Sequence, residues 1–424
     1  MDKASVKKKI AGMILIVGLV MLIPLFSGCD EEVNKSPNTG ITPKINTTAT
    51  ALGVEPVLEE EPVSVRLLFA GDVMAHEPQL VAQFNNETKS YDFNNNYIYV
   101  QPLISAVDIA FCNLETTLGG SPYTGYPTFS SPDSLANALV SAGFDVVSTS
   151  NNHMLDRHAS GVRRTIETVR AAGLKNVGSQ LEGENDFIIV SAGALNVGLV
   201  AYTYETARYN GKRTLNGIPV SDDLENMVNS FGFETFDADM ARIEESIKNA
   251  RNFGADMVIC YFHWGNEYQR TQDDNQRNIA QKIALAGADM IVGSHPHVLQ
   301  GMEVLDAGGR KVPVYYSMGN FISNQRTETT GSRFTEQGLM VIADVEFMPE
   351  SKKILSLDTK VVPTWLDKYK NGERNVYAII PLVGDYLSIP ALQESGHSER
   401  ASQALEYCVS LFGEGAIYAE RLTE

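Results

Sequence analysis

The chain has 424 residues, a formal net charge of −18 at pH 7 and a hydrophobic fraction of 43%. This length and hydrophobic content suffice for a large buried core, in one large domain or two. The acidity argues against nucleic acid as a partner, because phosphate backbones bind to basic surfaces. Alternatively, the net charge only keeps the protein soluble.

The N-terminal segment has the pattern of a secretory signal. Lysines at positions 3, 7, 8 and 9 precede an apolar run from Ile10 to Phe26, and small residues lead to Cys29, as in a bacterial lipoprotein cleavage site. We therefore predict a signal peptide at residues 1–28 and lipidation of Cys29, which anchors the protein to the extracytoplasmic face of the cell membrane. An uncleaved helix over Ile10–Phe26 is the alternative, at the lower length limit for crossing a bilayer.

Residues 29–62 are rich in Asn, Thr, Pro and Glu and predict a flexible tether. Residues 63–424 are expected to form the folded domain. Three cysteines remain there, and an odd number argues against a disulfide framework. Cys112 and Cys260 lie in apolar runs, so we predict that they are buried hydrophobic residues.

Five apolar runs predict strands of an α/β sheet. They cover residues 66–72, 108–115, 145–153, 256–263 and 289–295, and polar residues of ligand type stand at their carboxyl ends. Ligands of open α/β sheets bind at those ends. The residues there form a mixed oxygen and nitrogen set suited to divalent transition metals: Asp72, Glu115, Asn152, His153, His263, His295 and His297.

The pair His295 and His297 is the strongest single signal in this set. In an extended backbone, residues two apart point to the same side, so the two imidazoles are expected to converge on one point. Neutral imidazole is a common metal ligand, which makes an H-x-H at the end of a strand a candidate metal site.

Further elements follow from periodicity and turn residues. Two strands are predicted within 187–204, a hairpin within 302–316 and strands at 339–347 and 354–362. Residues 205–235 are polar and predict an irregular excursion over the site. Helical patterns lie at residues 98–107, 132–143, 161–172, 238–252, 274–286 and 398–412.

Six motifs in order resemble a known family. They are Gly71-Asp-Val-Met74, Asn113-Leu-Glu115, Ser150-Asn-Asn-His153, His263-Trp-Gly265, Gly293-Ser-His-Pro-His297 and Ser317-Met-Gly-Asn-Phe321. The set resembles the poly-γ-glutamate capsule-synthesis (CapA) family, which is similar to the calcineurin-like metallophosphoesterases. The resemblance covers roughly residues 65–330.

The resemblance implies a four-layer α/β/β/α sandwich of two mixed sheets, with divalent metal ions (manganese, zinc or iron) at their upper edge. His153 matches the histidine that assists the leaving group in phosphoesterases, and Ser317 and Asn320 are expected to brace the site. Ligand positions for two ions match Asp72 and His297 at the first, and Asn152, His263 and His295 at the second.

Two positions depart from the phosphoesterase pattern. Met74 stands where those enzymes have a histidine, and its thioether is a poor ligand for hard ions. Glu115 stands where they have a bridging aspartate. We therefore expect the first metal site to be weak, remodelled or empty.

Three functions fit these residues. The first is a membrane-anchored, metallophosphatase-like protein acting in synthesis, transfer or export of poly-γ-glutamate or a related extracellular polymer, with His153 moving a proton beside the metals. The second is a non-catalytic, polymer-binding subunit of a membrane synthase. The third is a general cell-surface phosphoesterase. The expected ligand is an anionic polymer or a phosphate-containing substrate.

Overall fold

A computed structural model describes residues 60–418 of the chain. The predicted signal peptide, Cys29 and nearly all of the predicted tether lie outside these residues. Within residues 60–418, no helix is both long and apolar enough to cross a membrane.

Twenty strands make up most of the described framework. In chain order they are β1 (Val63–Val73), β2 (Phe84–Asn85), β3 (Ser90–Tyr91), β4 (Ile109–Leu114), β5 (Val146–Ser148), β6 (Lys175–Val177), β7 (Phe187–Ala192), β8 (Leu195–Tyr204), β9 (Thr206–Tyr209), β10 (Lys212–Leu215), β11 (Ile218–Pro219), β12 (Ser230–Phe231), β13 (Met257–His263), β14 (Met290–Ser294), β15 (Met302–Ala307), β16 (Arg310–Tyr315), β17 (Asn320–Ile322), β18 (Gln337–Met348), β19 (Lys353–Asn371) and β20 (Arg374–Pro381).

Nine α-helices accompany the strands in residues 60–418. They are α1 (Glu77–Gln83), α2 (Gln101–Ile104), α3 (Ser134–Ala142), α4 (His158–Ala172), α5 (Phe236–Asn252), α6 (Asp274–Ala286), α7 (Thr327–Thr330), α8 (Pro390–Ser395) and α9 (Ser398–Phe412). Helix α6 begins with a capping box, in which the Asp273 carboxylate accepts a hydrogen bond from the Gln276 amide and the Gln276 side chain accepts one from Asp273 N.

Two large mixed sheets carry the fold. The first has the strand order β20-β19-β18-β1-β4-β5-β6, with β17 beside β1, and the second has the order β12-β8-β13-β14-β16-β15, with β7 beside β8. Strands β1, β4, β5 and β6 run parallel, as do β12, β8, β13, β14 and β16. The other pairings within these sheets are antiparallel, except that β17 is parallel to β1.

Alternating side chains of the strands place the sheets face to face. Leu67 and Phe69 of β1 share a buried cluster with Ile259 of β13, whereas Leu68 faces the other way, into a cluster with Leu139 of α3. The outer face of the second sheet is covered in the same manner, where Val258 and Ile291 pack against Ile243 of α5 and Ile283 of α6. The layers are therefore helix, sheet, sheet and helix, which confirms the predicted sandwich.

Most predicted elements have the expected type, with one exception. Residues 205–235 are not irregular, because β9, β10 and β11 form a small sheet whose Leu215 packs with Val162 and Ile166 of α4. Strand β20 was not predicted. Cys112, Cys260 and Cys408 are buried and unpaired, as expected for the first two.

Candidate metal centre

Asp72 lies near the end of β1 between two asparagines on neighbouring strands. It pairs in register with Asn113 of β4 and with Asn320 of β17. The Asn113 amide Nδ2 donates to Asp72 Oδ1 at 2.7 Å and lies 3.4 Å from Glu115 Oε2, just beyond the end of β4. The first sheet thus presents two carboxylates side by side, and both are fully buried.

A glycine permits this arrangement. A Cβ atom at Gly71 would lie 2.0 Å from Gly319 O, while the neighbouring Asp72 N donates to that same oxygen at 3.0 Å. The segment before β17 can approach β1 only because position 71 has no side chain.

The second sheet contributes the imidazoles. His263 ends β13 and pairs in register with Ser294, the last residue of β14, so that His295 and His297 follow directly beyond it. The expectation of an extended H-x-H was wrong, because φ is +102° at His295 and +57° at His297. The two rings nevertheless lie close together, with centroids 5.9 Å apart.

Carboxylates and imidazoles from the two sheets meet in one buried cluster. Glu115 Oε1 lies 3.6 Å from His263 Nε2 and 3.7 Å from His297 Nε2, and Asp72 Oδ2 lies 3.3 Å from His297 Nδ1. Three groups of side chains each bring one ligand atom per residue within 4.8 Å of the others: Glu115, His263 and His295; Asp72, Glu115 and His297; and Glu267, His295 and His297.

The cluster fits a divalent cation better than a set of hydrogen bonds. Asp72 Oδ2, Glu115 Oε1 and His295 Nδ1 are buried, and none forms a hydrogen bond with any residue in 60–418. Unpaired buried carboxylate oxygens are costly. Ligands about 2.1 Å from a tetrahedral zinc stand about 3.4 Å from one another, close to the 3.3–3.7 Å separations found here.

The electrostatics of the cluster agree with this interpretation. Burial, followed by the neighbouring charge of Asp72, raises the pKa of Glu115 well above its usual value. Burial, followed by the nearby histidines, lowers the pKa of His263 and His295 well below the usual value. The imidazoles of His263 and His295 are therefore neutral, the form that binds metals.

Asn152 and His153 reach the cluster from the loop after β5. Asn152 Oδ1 lies 3.0 Å from His263 Nε2. The His153 Nδ1–H donates to Asp156 Oδ2 at 2.8 Å, and that same oxygen accepts from Phe129 N at 2.6 Å. Since Asp156 fixes the proton on Nδ1, the Nε2 atom of His153 is the ring nitrogen left to bind or move a proton.

The structure thus brings together Asp72, Glu115, Asn152, His263, His295 and His297, with His153 beside them. Their roles as ligands and as a proton carrier stay predictions. Ser317 and Asn320 occupy the expected positions: Asn320 Oδ1 lies 3.1 Å from His297 Nδ1, and Ser317 Oγ donates to Val298 O.

Several residues of the site were missed in the sequence. Asn113 and Asp156 stand within or next to quoted motifs, but no spacing rule marks them as supports of Asp72 and His153. Glu267 lies four residues after a strand end, in a loop whose path no periodicity predicts. His76 is half-buried, its Nδ1 accepts from Asn324 N at 3.2 Å, and burial lowers its pKa to about 4.

The fold and the site define a class of protein: a two-sheet α/β sandwich with a centre that can hold divalent cations where its strands end. The chain belongs to the family described as bacterial capsule synthesis protein PGA_cap, which matches residues 66–325. The resemblance inferred from the motifs is thereby confirmed.

Similar proteins include two capsule proteins from bacilli. The capsule biosynthesis protein CapA of Bacillus anthracis is 26% identical over 287 residues, which cover 64% of this chain and 63% of that protein. The PGA biosynthesis protein CapA of Bacillus subtilis is 26% identical over 270 residues, which cover 61% of this chain and 63% of that protein. The match thus spans less than two thirds of each relative.

Similar solved structures include two phosphoester-cleaving proteins. A phosphatase from Mycoplasma pneumoniae has 14% identity and a TM-score of 0.41, over 71% of this chain and 94% of that chain. The calcineurin-like phosphoesterase YfkN from Bacillus subtilis has 13% identity and a TM-score of 0.40, over 81% of this chain and 99% of that chain.

Proposed function

We propose that the protein is a membrane-anchored, metal-dependent hydrolase that acts in synthesis, transfer or export of poly-γ-glutamate or a related anionic polymer outside the cell. One observation supports a metal-dependent hydrolase. Buried polar atoms without hydrogen-bond partners in residues 60–418 lie in the same cluster, and they belong to Asp72, Glu115 and His295. Family membership and the two CapA relatives support the polymer.

The residues divide the work by their chemistry. Asp72, Glu115, Asn152 and the three histidines would hold one or two divalent ions of manganese, zinc or iron. When bound, such an ion supplies positive charge that stabilises the negative charge developing on a reacting oxygen.

His153 would handle the proton. Its Nδ1 is held by the Asp156 carboxylate, and the edge-to-face contact with the Phe129 ring, at a centroid distance of 4.7 Å, fixes the plane of the imidazole. Its Nε2 is then oriented to donate a proton to a leaving group or to take one from an attacking group. Burial of the cluster excludes bulk water from this transfer.

A non-catalytic, polymer-binding subunit of a membrane synthase is the second candidate. Met74 favours it, because this buried residue supplies a thioether where the resembling enzymes supply an imidazole. In that case the centre would bind carboxylates of the polymer through its cations, and His153 would be dispensable.

Hydrolysis and polymer binding separate the candidates. We would compare wild type with His153→Ala and His295→Ala, and use exposed His158→Ala as the matched control. The substrates are a generic phosphodiester with added manganese and fluorescent poly-γ-glutamate.

If the protein is a hydrolase, wild type and the control should turn over substrate, and both site variants should lose this activity. Polymer binding that survives His153→Ala, with no turnover of either substrate by wild type, overturns the hydrolase and supports the binding subunit. Turnover of the phosphodiester alone, with no affinity for the polymer, supports a general cell-surface phosphoesterase.

The location is proposed from Cys29 and tested separately. Cys29→Ser, expressed in a bacterium that processes lipoproteins, should move the protein from the membrane fraction to the soluble fraction. If the variant stays in the membrane, Ile10–Phe26 acts as an uncleaved anchor, and lipidation is not what holds the protein there.

A further inference from the structure

The loop after β13 carries an exposed carboxylate to the outer side of the metal centre. Backbone hydrogen bonds tie this loop to the loop after β14: Trp264 N donates to Ser294 O at 3.1 Å, and Tyr268 N donates to Pro296 O at 2.8 Å. Glu267 lies between these two ties. Its side chain is therefore held beside the imidazole loop although it is exposed to solvent.

Both loops hold unusual backbone conformations where they meet. Tyr268 has a φ of +65° and His295 a φ of +102°, a region that bulky residues rarely adopt. Such conformations persist where surrounding contacts enforce them, and they are concentrated at functional sites. Here they place the Glu267 carboxylate against the two imidazoles.

The chemistry of the resulting group is that of a cation site. Glu267, His295 and His297 each bring one ligand atom within 4.8 Å of the others. His295 is 3% exposed, and its Nδ1 has no hydrogen-bond partner in residues 60–418. Two imidazoles with one carboxylate form a donor set known for catalytic zinc and for non-haem iron, and such a set leaves positions open.

We propose that Glu267 is a further ligand of the centre and binds a divalent transition-metal ion together with His295 and His297. This inference rests on the proposed function, because it assumes that the buried cluster holds metal. Glu267 adds an anionic donor to a centre in which Met74 stands at the position of an imidazole ligand. Since it alone among these ligands is exposed, it closes the centre on the solvent side.

Metal binding by variants tests the proposal directly. Metal-free wild type, Glu267→Gln and Glu267→Asp would be titrated with Mn²⁺ and Zn²⁺ by calorimetry, and bound metal counted by elemental analysis. Glu244→Gln is the matched control, because it removes one negative charge from an exposed position on α5. The cobalt-substituted proteins would be compared by visible absorption, which reports the ligands of the ion.

Glu267→Gln should lose one bound ion per chain or bind it at least about 10- to 100-fold more weakly, because losing even an outer-shell partner of a ligand weakens metal binding by that much. Its cobalt spectrum should shift, Glu267→Asp should fall between, and Glu244→Gln should match wild type. Equal affinity, stoichiometry and spectrum in wild type and Glu267→Gln overturn the role of Glu267 alone. A wild type that binds neither Mn²⁺ nor Zn²⁺ overturns the proposed function as well.

Discussion

Replacing Glu115 by glutamine should stabilise the metal-free protein and strongly reduce its stabilisation by metal. Glu115 is fully buried beside Asp72, its Oε1 has no hydrogen-bond partner in residues 60–418, and its Oε2 accepts one long contact of 3.4 Å. Without a cation, two neighbouring carboxylates cannot both be ionised cheaply, so the pair retains a proton. Glutamine keeps the shape of the side chain and removes that charge.

The magnitude follows from linkage. Burial and Asp72 raise the pKa of Glu115 above its usual 4.5, so the folded metal-free protein loses stability as pH rises above 4.5, until the raised pKa is passed. Each pH unit in that window costs about 1.4 kcal/mol, so at pH 7 the glutamine variant should gain up to about 3 kcal/mol. Unfolding residues 60–418 has an entropy of about 0.75 kcal/mol per kelvin, so the Tm should rise by up to about 4 °C.

Metal should narrow the difference in stability between the two proteins. At a free Mn²⁺ concentration of about 100 times Kd, wild type should gain about 2.7 kcal/mol, or about 3 to 4 °C in Tm, because the ion binds the folded state alone. Glu115→Gln should gain less than a third of that shift. Differential scanning calorimetry at pH 5 and pH 7, with a chelator and then with Mn²⁺, measures both effects, and Glu244→Gln serves as the control for charge.

A metal-free Glu115→Gln that is less stable than wild type at pH 7 would refute the reasoning, since it would mean that the glutamate makes a favourable bond. If Mn²⁺ raises the Tm of Glu115→Gln as much as it raises that of wild type, the reasoning is also refuted, because the cation then binds without Glu115.

Three other changes test separate parts of the structure. Gly71→Ala should destabilise the fold by about 3 kcal/mol or more in urea titrations, because its Cβ would overlap Gly319 O, whereas Gly415→Ala, which has open space, should change little. Asp273→Ala should cost about 1 kcal/mol in the same titrations, through loss of the cap of α6, with the metal content unchanged. If the protein is a hydrolase, Asp156→Asn should lower turnover about 10- to 100-fold at unchanged metal content, because it loosens His153; equal turnover would show that the orientation of His153 does not matter.

Most of the long strands and helices could be predicted from the sequence, for a physical reason. Strands buried on both faces and amphipathic helices leave periodic signals, and the predicted boundaries of α6 and α9 match the structure. Strand β20 was not predicted, because it is an edge strand whose first half is partly exposed and polar, so its apolar run is short. The strands within residues 205–235 were not predicted, because tight turns at Gly211 and Gly217 join strands that are too short to show a periodic pattern.

Residues of the site that follow strands directly were the easiest to predict from the sequence. Asp72, Glu115 and His263 stand at or next to strand ends, so the sheet itself fixes their positions. Glu267 and Asp156 act across loops, and their placement depends on contacts between segments far apart in the chain. The left-handed backbone of His295 shows the same limit: the structure brings His295 to the cluster, but the argument that predicted it assumed an extended geometry that the structure does not have.

If the protein acts on an acidic polymer, as proposed, the arrangement of charge explains how an acidic chain can do so. The carboxylates at the centre, Asp72 and Glu115, are fully buried, and a divalent cation bound between them would neutralise both. A second cation would then leave a local excess of positive charge inside a surface that is otherwise negative, and low dielectric surroundings would strengthen its attraction for a carboxylate or phosphate. Attraction of the polymer to the protein should therefore depend on metal far more than on the net charge of −18. Polymer binding that is unchanged by a chelator would contradict this account even if the hydrolase assay succeeded.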